Sequence, residues 1–164
     1  VGASSLKNFF DENHIDGYAK SSFGIALLDN NNEIIGACLL RKPKSKHAQS
    51  SLEIARICFR LSTSCVGGLS KMMKKAIDIA KRENLDRIMT YSDTRFGGTC
   101  YAVIGMKRLQ DTAIRFWWTD FDKRYDRFKF RANKEKNLSE KDVAFAAGVT
   151  KIFACKNAKY EIKV

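Results

Sequence analysis

Asp93 occupies a position from which a carboxylate can do chemistry. Ile88, Met89 and Tyr91 form a β-compatible run, and Gly97-Gly98 interrupt it. Tyr101, Ile104 and Met106 then recur at helical spacing, with Gly105 placed to end the helix. Asp93, followed by Thr94 and Arg95, therefore falls at the carboxyl end of a strand, where open α/β sheets gather their ligands. The same placement suits an aspartate that caps a turn before a helix. A second candidate is the run S-T-S-C-V-G-G-L-S from Ser62 to Ser70. Its glycine pair, Gly67-Gly68, feeds a helical pattern through Leu69, Met72, Met73, Ala76, Ile77 and Ala80, and such a turn presents backbone N–H groups to an anion. A tight turn with no ligand has the same appearance. Five cysteines (Cys38, Cys58, Cys65, Cys100 and Cys155) are odd in number and contain no CxxC pair. That pattern argues against a disulfide framework and a zinc site of standard spacing, and most of the five sit in apolar runs and read as small core residues in a reducing compartment.

The elements that position these residues follow from periodicity. With 164 residues, the chain is expected to form one domain. Ser5 to Glu12 reads as a short helix with Leu6, Phe9 and Phe10 on one side and Ser5 as its cap. A polar loop, Asn13 to Tyr18, carries His14. Ser22 to Asp29 and Glu33 to Arg41 flank D-N-N-N, residues that tolerate positive φ, and so form a β-hairpin. The basic loop after it holds the other histidine, His47. Ser51 to Leu61 is a third strand, on which Glu53 and Arg56 point to opposite faces unless a bulge intervenes. Residues 107–131 give two β-rich runs around D-F-D-K-R, with Phe128 and Phe130 alternating with Arg127, Lys129 and Arg131. Ser139 caps a short helix ended by Gly148. Ile152 to Cys155 and Lys159 to Val164 are expected to pair as a terminal hairpin, making 132–164 a helix-hairpin extension.

Lys and Arg outnumber Asp and Glu by 30 to 18, for a formal charge of +12 and a pI near 9.6. This excess points to a polyanionic partner, with DNA as the leading candidate. The contacts are assigned to Arg95, Arg115, Lys123, Arg124, Arg127, Lys129 and Arg131, with Trp117, Trp118 or Tyr125 available to stack on a base. A solvated basic face is the plain alternative. No segment suits a membrane, and no signal sequence is visible, so a cytoplasmic protein is expected.

The order of hairpin, third strand, glycine turn with helix, strand, short helix and C-terminal strands resembles the GNAT (N-acetyltransferase-like) fold. The resemblance implies an α/β (α+β) domain with a central mixed, mostly antiparallel sheet flanked by helices. V-G-G-L-S-K is similar in position to that family's pyrophosphate loop, which implies that Val66, Gly67, Gly68, Ser70 and Lys71 hold acetyl-CoA or a related CoA. H-I-D-G-Y, L-E-I-A-R, S-x-V-G-G-L-S-K and Y-S-D-T-R-F-G-G-T-C-Y-A-V-I-G-M resemble motifs of the Mom-type DNA modification family of phages. They also resemble related domains C-terminal to phage homing endonucleases. This resemblance implies that His14, Glu53, Arg56 and Asp93 converge on one pocket, that Tyr101 is catalytic with them, and that His14 and Asp93 are candidate iron ligands. The implied function is DNA base modification by adenine acyl or carbamoylmethyl-type transfer, in a chain fused to or cut from a larger phage protein. The alternatives are a non-catalytic DNA-binding domain and a general acetyl-CoA-dependent N-acetyltransferase.

Overall fold

A computed structural model describes residues 2–43, 48, 50–132 and 137–164, so His47 lies outside the described residues. In chain order the elements are α1 (Ala3–Asn13), β1 (Phe23–Leu28), β2 (Ile34–Arg41), β3 (Ser51–Phe59), α2 (Gly68–Arg82), β4 (Arg87–Asp93) and α3 (Thr99–Val103). They continue as β5 (Lys107–Asp111), β6 (Phe116–Thr119), β7 (Arg124–Tyr125), α4 (Glu140–Ala146), β8 (Thr150–Phe153) and β9 (Asn157–Lys163). Contacts divide the chain into two compact units, Val1–Ser92 with Gly98–Gln110 and Ala158–Val164, and Asp93–Gly97 with Asp111–Asn157. No helix among the described residues is long and apolar enough to cross a membrane.

The first unit is built on a six-stranded sheet of order β1-β2-β3-β4-β9-β5. β1, β2 and β3 pair antiparallel, and β3 pairs parallel with β4. The β1–β2 turn closes because Asp29 Oδ1 accepts hydrogen bonds from the Asn31 and Glu33 amides, each at 2.9 Å, while Asn32 takes φ +62°. β2 is apolar from Ile34 to Leu40 because both of its faces are covered. Ala37 and Leu39 pack with Leu6, Phe9 and Phe10 of α1, whereas Cys38 and Leu40 join Met72, Met73, Ala76 and Ala80 of α2. Ser5 does not cap α1; the helix starts earlier, behind Gly2, with no side-chain cap.

In β3 the register passes from Leu40↔Ile54 to Leu39↔Arg56, so Ala55 is an extra residue. This bulge turns Glu53 and Arg56 to the same face of the sheet. Ile54 and Ile57 accordingly both reach the α2 side, and Ala55 and Cys58 the α1 side.

The second unit has a small antiparallel sheet, β7-β6-β8, around a core of Trp118, Phe130, Ala144 and Val149. α4 begins with a reciprocal capping box between Ser139 and Asp142, and Gly148 follows its end at φ +71°. Two expectations fail here. Arg127–Phe130 is a 3₁₀ turn and not a strand: Asp126 Oδ1 accepts from the Phe128 amide at 2.9 Å and bends the chain, burying Phe130 and leaving Phe128 62% exposed. The terminal hairpin is also absent. β8 pairs with β6 from Phe116↔Phe153 to Thr119↔Thr150, whereas β9 enters the large sheet because Ala158 and Tyr160 belong to its core.

Candidate active site

The β3–β4 ladder runs from Ser51↔Arg87 to Ile54↔Thr90 and stops there. The bulge at Ala55 follows at once and bends β3 away from its parallel neighbour, so the two strands fork. Beyond the fork, β3 has a backbone edge no longer committed to β4. Thr90 lies buried at the fork, and its hydroxyl donates to the Ile54 carbonyl at 3.1 Å. A hydrogen bond also links Thr90 to the Tyr101 hydroxyl, and burial pushes the Tyr101 phenol up to about 12. The Tyr101 ring packs on Tyr160 at 5.3 Å between centroids. α3 can bring Tyr101 there because Gly98, at φ +64°, lies against the Tyr160 hydroxyl, which a Cβ would approach to 2.5 Å.

The glycine turn heads α2 in the same unit. Gly67 takes the left-handed conformation at φ +73° as the N-cap, supplies no side-chain cap, and has open space around it. Gly68 is packed: a Cβ there would meet Cys65 Sγ at 2.7 Å, the Phe59 ring at 2.8 Å and Leu27 at 3.0 Å. The first turn carries no acid and no side-chain cap, and Val66, Ser70 and Lys71 are exposed at the positive end of the helix dipole. The packed side of the turn admits only glycine at Gly68. Gly68→Val is expected to lower stability by about 1–3 kcal/mol through overpacking, read as the denaturant midpoint. A midpoint equal to wild type would show that the packing around Gly68 yields.

His14 and Arg56 meet on the α1 face of the sheet. Arg56 Nε donates to the Gly17 carbonyl at 3.2 Å, and its Nη1 to the Ala55 carbonyl at 2.8 Å. Gly17 is at φ +62°, where a Cβ would lie 2.9 Å from Asp11 Oδ1, so only glycine fits the turn. The Asp16 amide donates to His14 Nδ1 at 3.0 Å, which leaves the neutral ring's proton on Nε2. Burial, and secondarily the Arg56 charge, hold the His14 pKa below the ordinary imidazole value. The folded protein thus takes up this proton less readily than the unfolded chain, and the stability involved is lost as pH falls below about 6.5. Arg56→Met is expected to raise the His14 pKa, measured by NMR titration of the ring; an unchanged value would assign the whole depression to burial. Glu53 shares this face but is ion-paired with Arg41.

Asp93, in the second unit, accepts from the Arg95 amide at 2.9 Å and binds its guanidinium, at 2.7 Å to Nη2. Those bonds hold its carboxyl below the usual carboxylate range, and it caps the turn Thr94–Phe96. Among the described residues, no three His, Cys, Asp or Glu side chains gather as a metal-ligand set. His14 also has its Nδ1 occupied, so an iron site on His14 and Asp93 does not fit the residues present.

All seven cations assigned to nucleic acid, Arg95, Arg115, Lys123, Arg124, Arg127, Lys129 and Arg131, lie in the second unit. Trp118 is core, 1% exposed, and Tyr125 donates its hydroxyl to Asp120 at 2.6 Å, so of the three aromatics considered for stacking only Trp117 lines a groove there. Sequence reasoning missed Thr90, whose buried hydroxyl sits at the fork.

No protein-family model and no curated protein matches the chain. Solved structures do. A Bacillus subtilis acetyltransferase in complex with CoA superposes with TM-score 0.57 at 16% identity, over 100% of this chain and 94% of that one. The ribosomal-protein-S18-alanine N-acetyltransferase of Escherichia coli gives 0.58 at 6% identity, over 100% and 90%. An acetyltransferase from Bacillus anthracis in complex with acetyl coenzyme A gives 0.53 at 15% identity, over 97% and 68%. The chain has the fold of the GNAT N-acetyltransferases, with a mixed, mostly antiparallel sheet flanked by helices.

Proposed function

We propose that this chain is a CoA-dependent acyltransferase acting on an amine. The observation that carries the reading is the fork at Ile54 and Thr90, with a buried neutral phenol at its base and an uncapped glycine turn heading α2 in the same unit. The residues present fit CoA: Gly67 has open space around it, the first-turn amides of α2 and Lys71 suit a pyrophosphate, and the β3 edge past Ile54 offers backbone groups to an amide-bearing arm. CoA, when bound, supplies a thioester-activated acyl group. Tyr101 keeps its proton on the phenolic oxygen throughout the physiological range and can release it to a leaving group at the fork.

Calorimetric titration with acetyl-CoA tests the reading. Lys71→Gln, at an exposed position, is expected to weaken binding about five-fold by removing one charged contact. Absence of acetyl-CoA binding in the wild type would remove the proposal. A second reading takes the acceptor as a base of DNA, as the Mom-like motifs suggest, and is supported by the charge of +12. In it, Asp93 is the catalytic candidate. Mass spectrometry of nucleosides from DNA incubated with protein and acetyl-CoA, with Asp93→Ala as control, separates the two acceptors.

A further inference from the structure

We infer that the second unit carries a binding groove for single-stranded nucleic acid. The groove, about 460 Å³, is lined chiefly by Ile114, Arg115, Phe116, Trp117, Arg127 and Phe128. Its rings are interleaved with cations. Arg127 lies 5.1 Å from the Phe116 ring centre, Arg131 4.6 Å from that of Phe128, Arg124 5.8 Å from that of Trp117 and Lys151 4.1 Å from that of Phe116. Arg127 is ion-paired with Glu140 at 2.9 Å. Arg115, Arg124, Arg131 and Lys151 have no carboxylate partner among the described residues. The groove's lining also holds one acid, Asp126, which is exposed and accepts the Phe128 amide at Oδ1, so the four unpaired cations outnumber it.

Phe128 and Ile114 are each more than half exposed at this groove, which is unfavourable in water unless a flat apolar ligand covers them. A polyanion whose units each carry one phosphate and one flat ring satisfies cations and aromatics together. Base faces are available for stacking only where the strand is unpaired. An acidic peptide would use the cations but leave the rings exposed. The assignment stands on the second unit alone and holds whether or not the first unit transfers acyl groups.

Fluorescence anisotropy of a labelled oligothymidylate, followed across a salt series, tests this. The wild type is expected to bind with steep salt dependence. Phe128→Ala, at an exposed position that should not disturb folding, is expected to weaken binding by about 5- to 150-fold with little change in the salt slope. Arg131→Gln is expected to lower the slope by about 0.7. Lys20→Gln, a charge-matched change in the other unit, is expected to do neither, and acetyl-CoA titrations of Phe128→Ala should match wild type. No binding, equal binding by Phe128→Ala, equal loss with Lys20→Gln, or tighter binding of a duplex or of polyglutamate would each overturn the assignment.

Discussion

Tyr101→Phe is expected to lower the turnover number for acyl transfer by about 10²- to 10⁴-fold, the usual worth of a positioned general acid, while leaving acetyl-CoA affinity unchanged. The substitution removes one oxygen and keeps the ring that packs on Tyr160. Its structural cost is confined to the hydrogen bond with Thr90, about 1 kcal/mol. Because burial pushes the phenol up to about 12, Tyr101 stays protonated across any ordinary assay range. A falling activity limb below about pH 10 would therefore belong to another group. A variant with wild-type turnover would show that protons reach the leaving group by another route, even if CoA binds as proposed. A variant that loses acetyl-CoA affinity instead would make Tyr101 a binding residue.

Local chemistry made much of the fold legible in the sequence, and pairing between distant segments set what was not. D-N-N-N predicts the β1–β2 turn because Asp29 and Asn32 carry the needed conformations themselves. The helical spacing from Leu69 to Ala80 likewise predicts α2. Whether Glu53 and Arg56 share a face depends on one extra residue, Ala55, which is visible only when β3 is laid against β2. The alternation from Arg127 to Arg131 looks like a strand, but Asp126 bends it into a turn by a bond to the Phe128 amide. β8 and β9 are neighbours in sequence, yet each finds a better-buried partner in a different sheet. The fork has no sequence signature of its own, because it is an absence of pairing. The motifs H-I-D-G and E-I-A-R acquire a physical link only in three dimensions, where Arg56 holds the Gly17 carbonyl beside His14.

Trp118→Ala is expected to unfold the second unit selectively. That unit has about 50 residues, a size at which a core is marginal and one large side chain carries much of the buried area. Trp118 is 1% exposed, makes edge-on contacts with Phe116, Phe130 and Phe145, and donates from Nε1 to Glu140 at 3.3 Å. Truncating such a residue costs about 3–5 kcal/mol, comparable to the whole stability of a domain this small. It also leaves Glu140 held only by Arg127. Hydrogen exchange is expected to show lost protection at Phe116–Thr119 and Thr150–Phe153, with protection retained in α2 and β2, whose core is formed by other residues. On the readings above, the variant keeps acetyl-CoA affinity and loses affinity for oligothymidylate, which assigns the two ligands to the two units in one experiment. If α2 and β2 lose protection in step with β6, the chain unfolds as one cooperative body, and the loss of either ligand in this variant would then say nothing about where it binds.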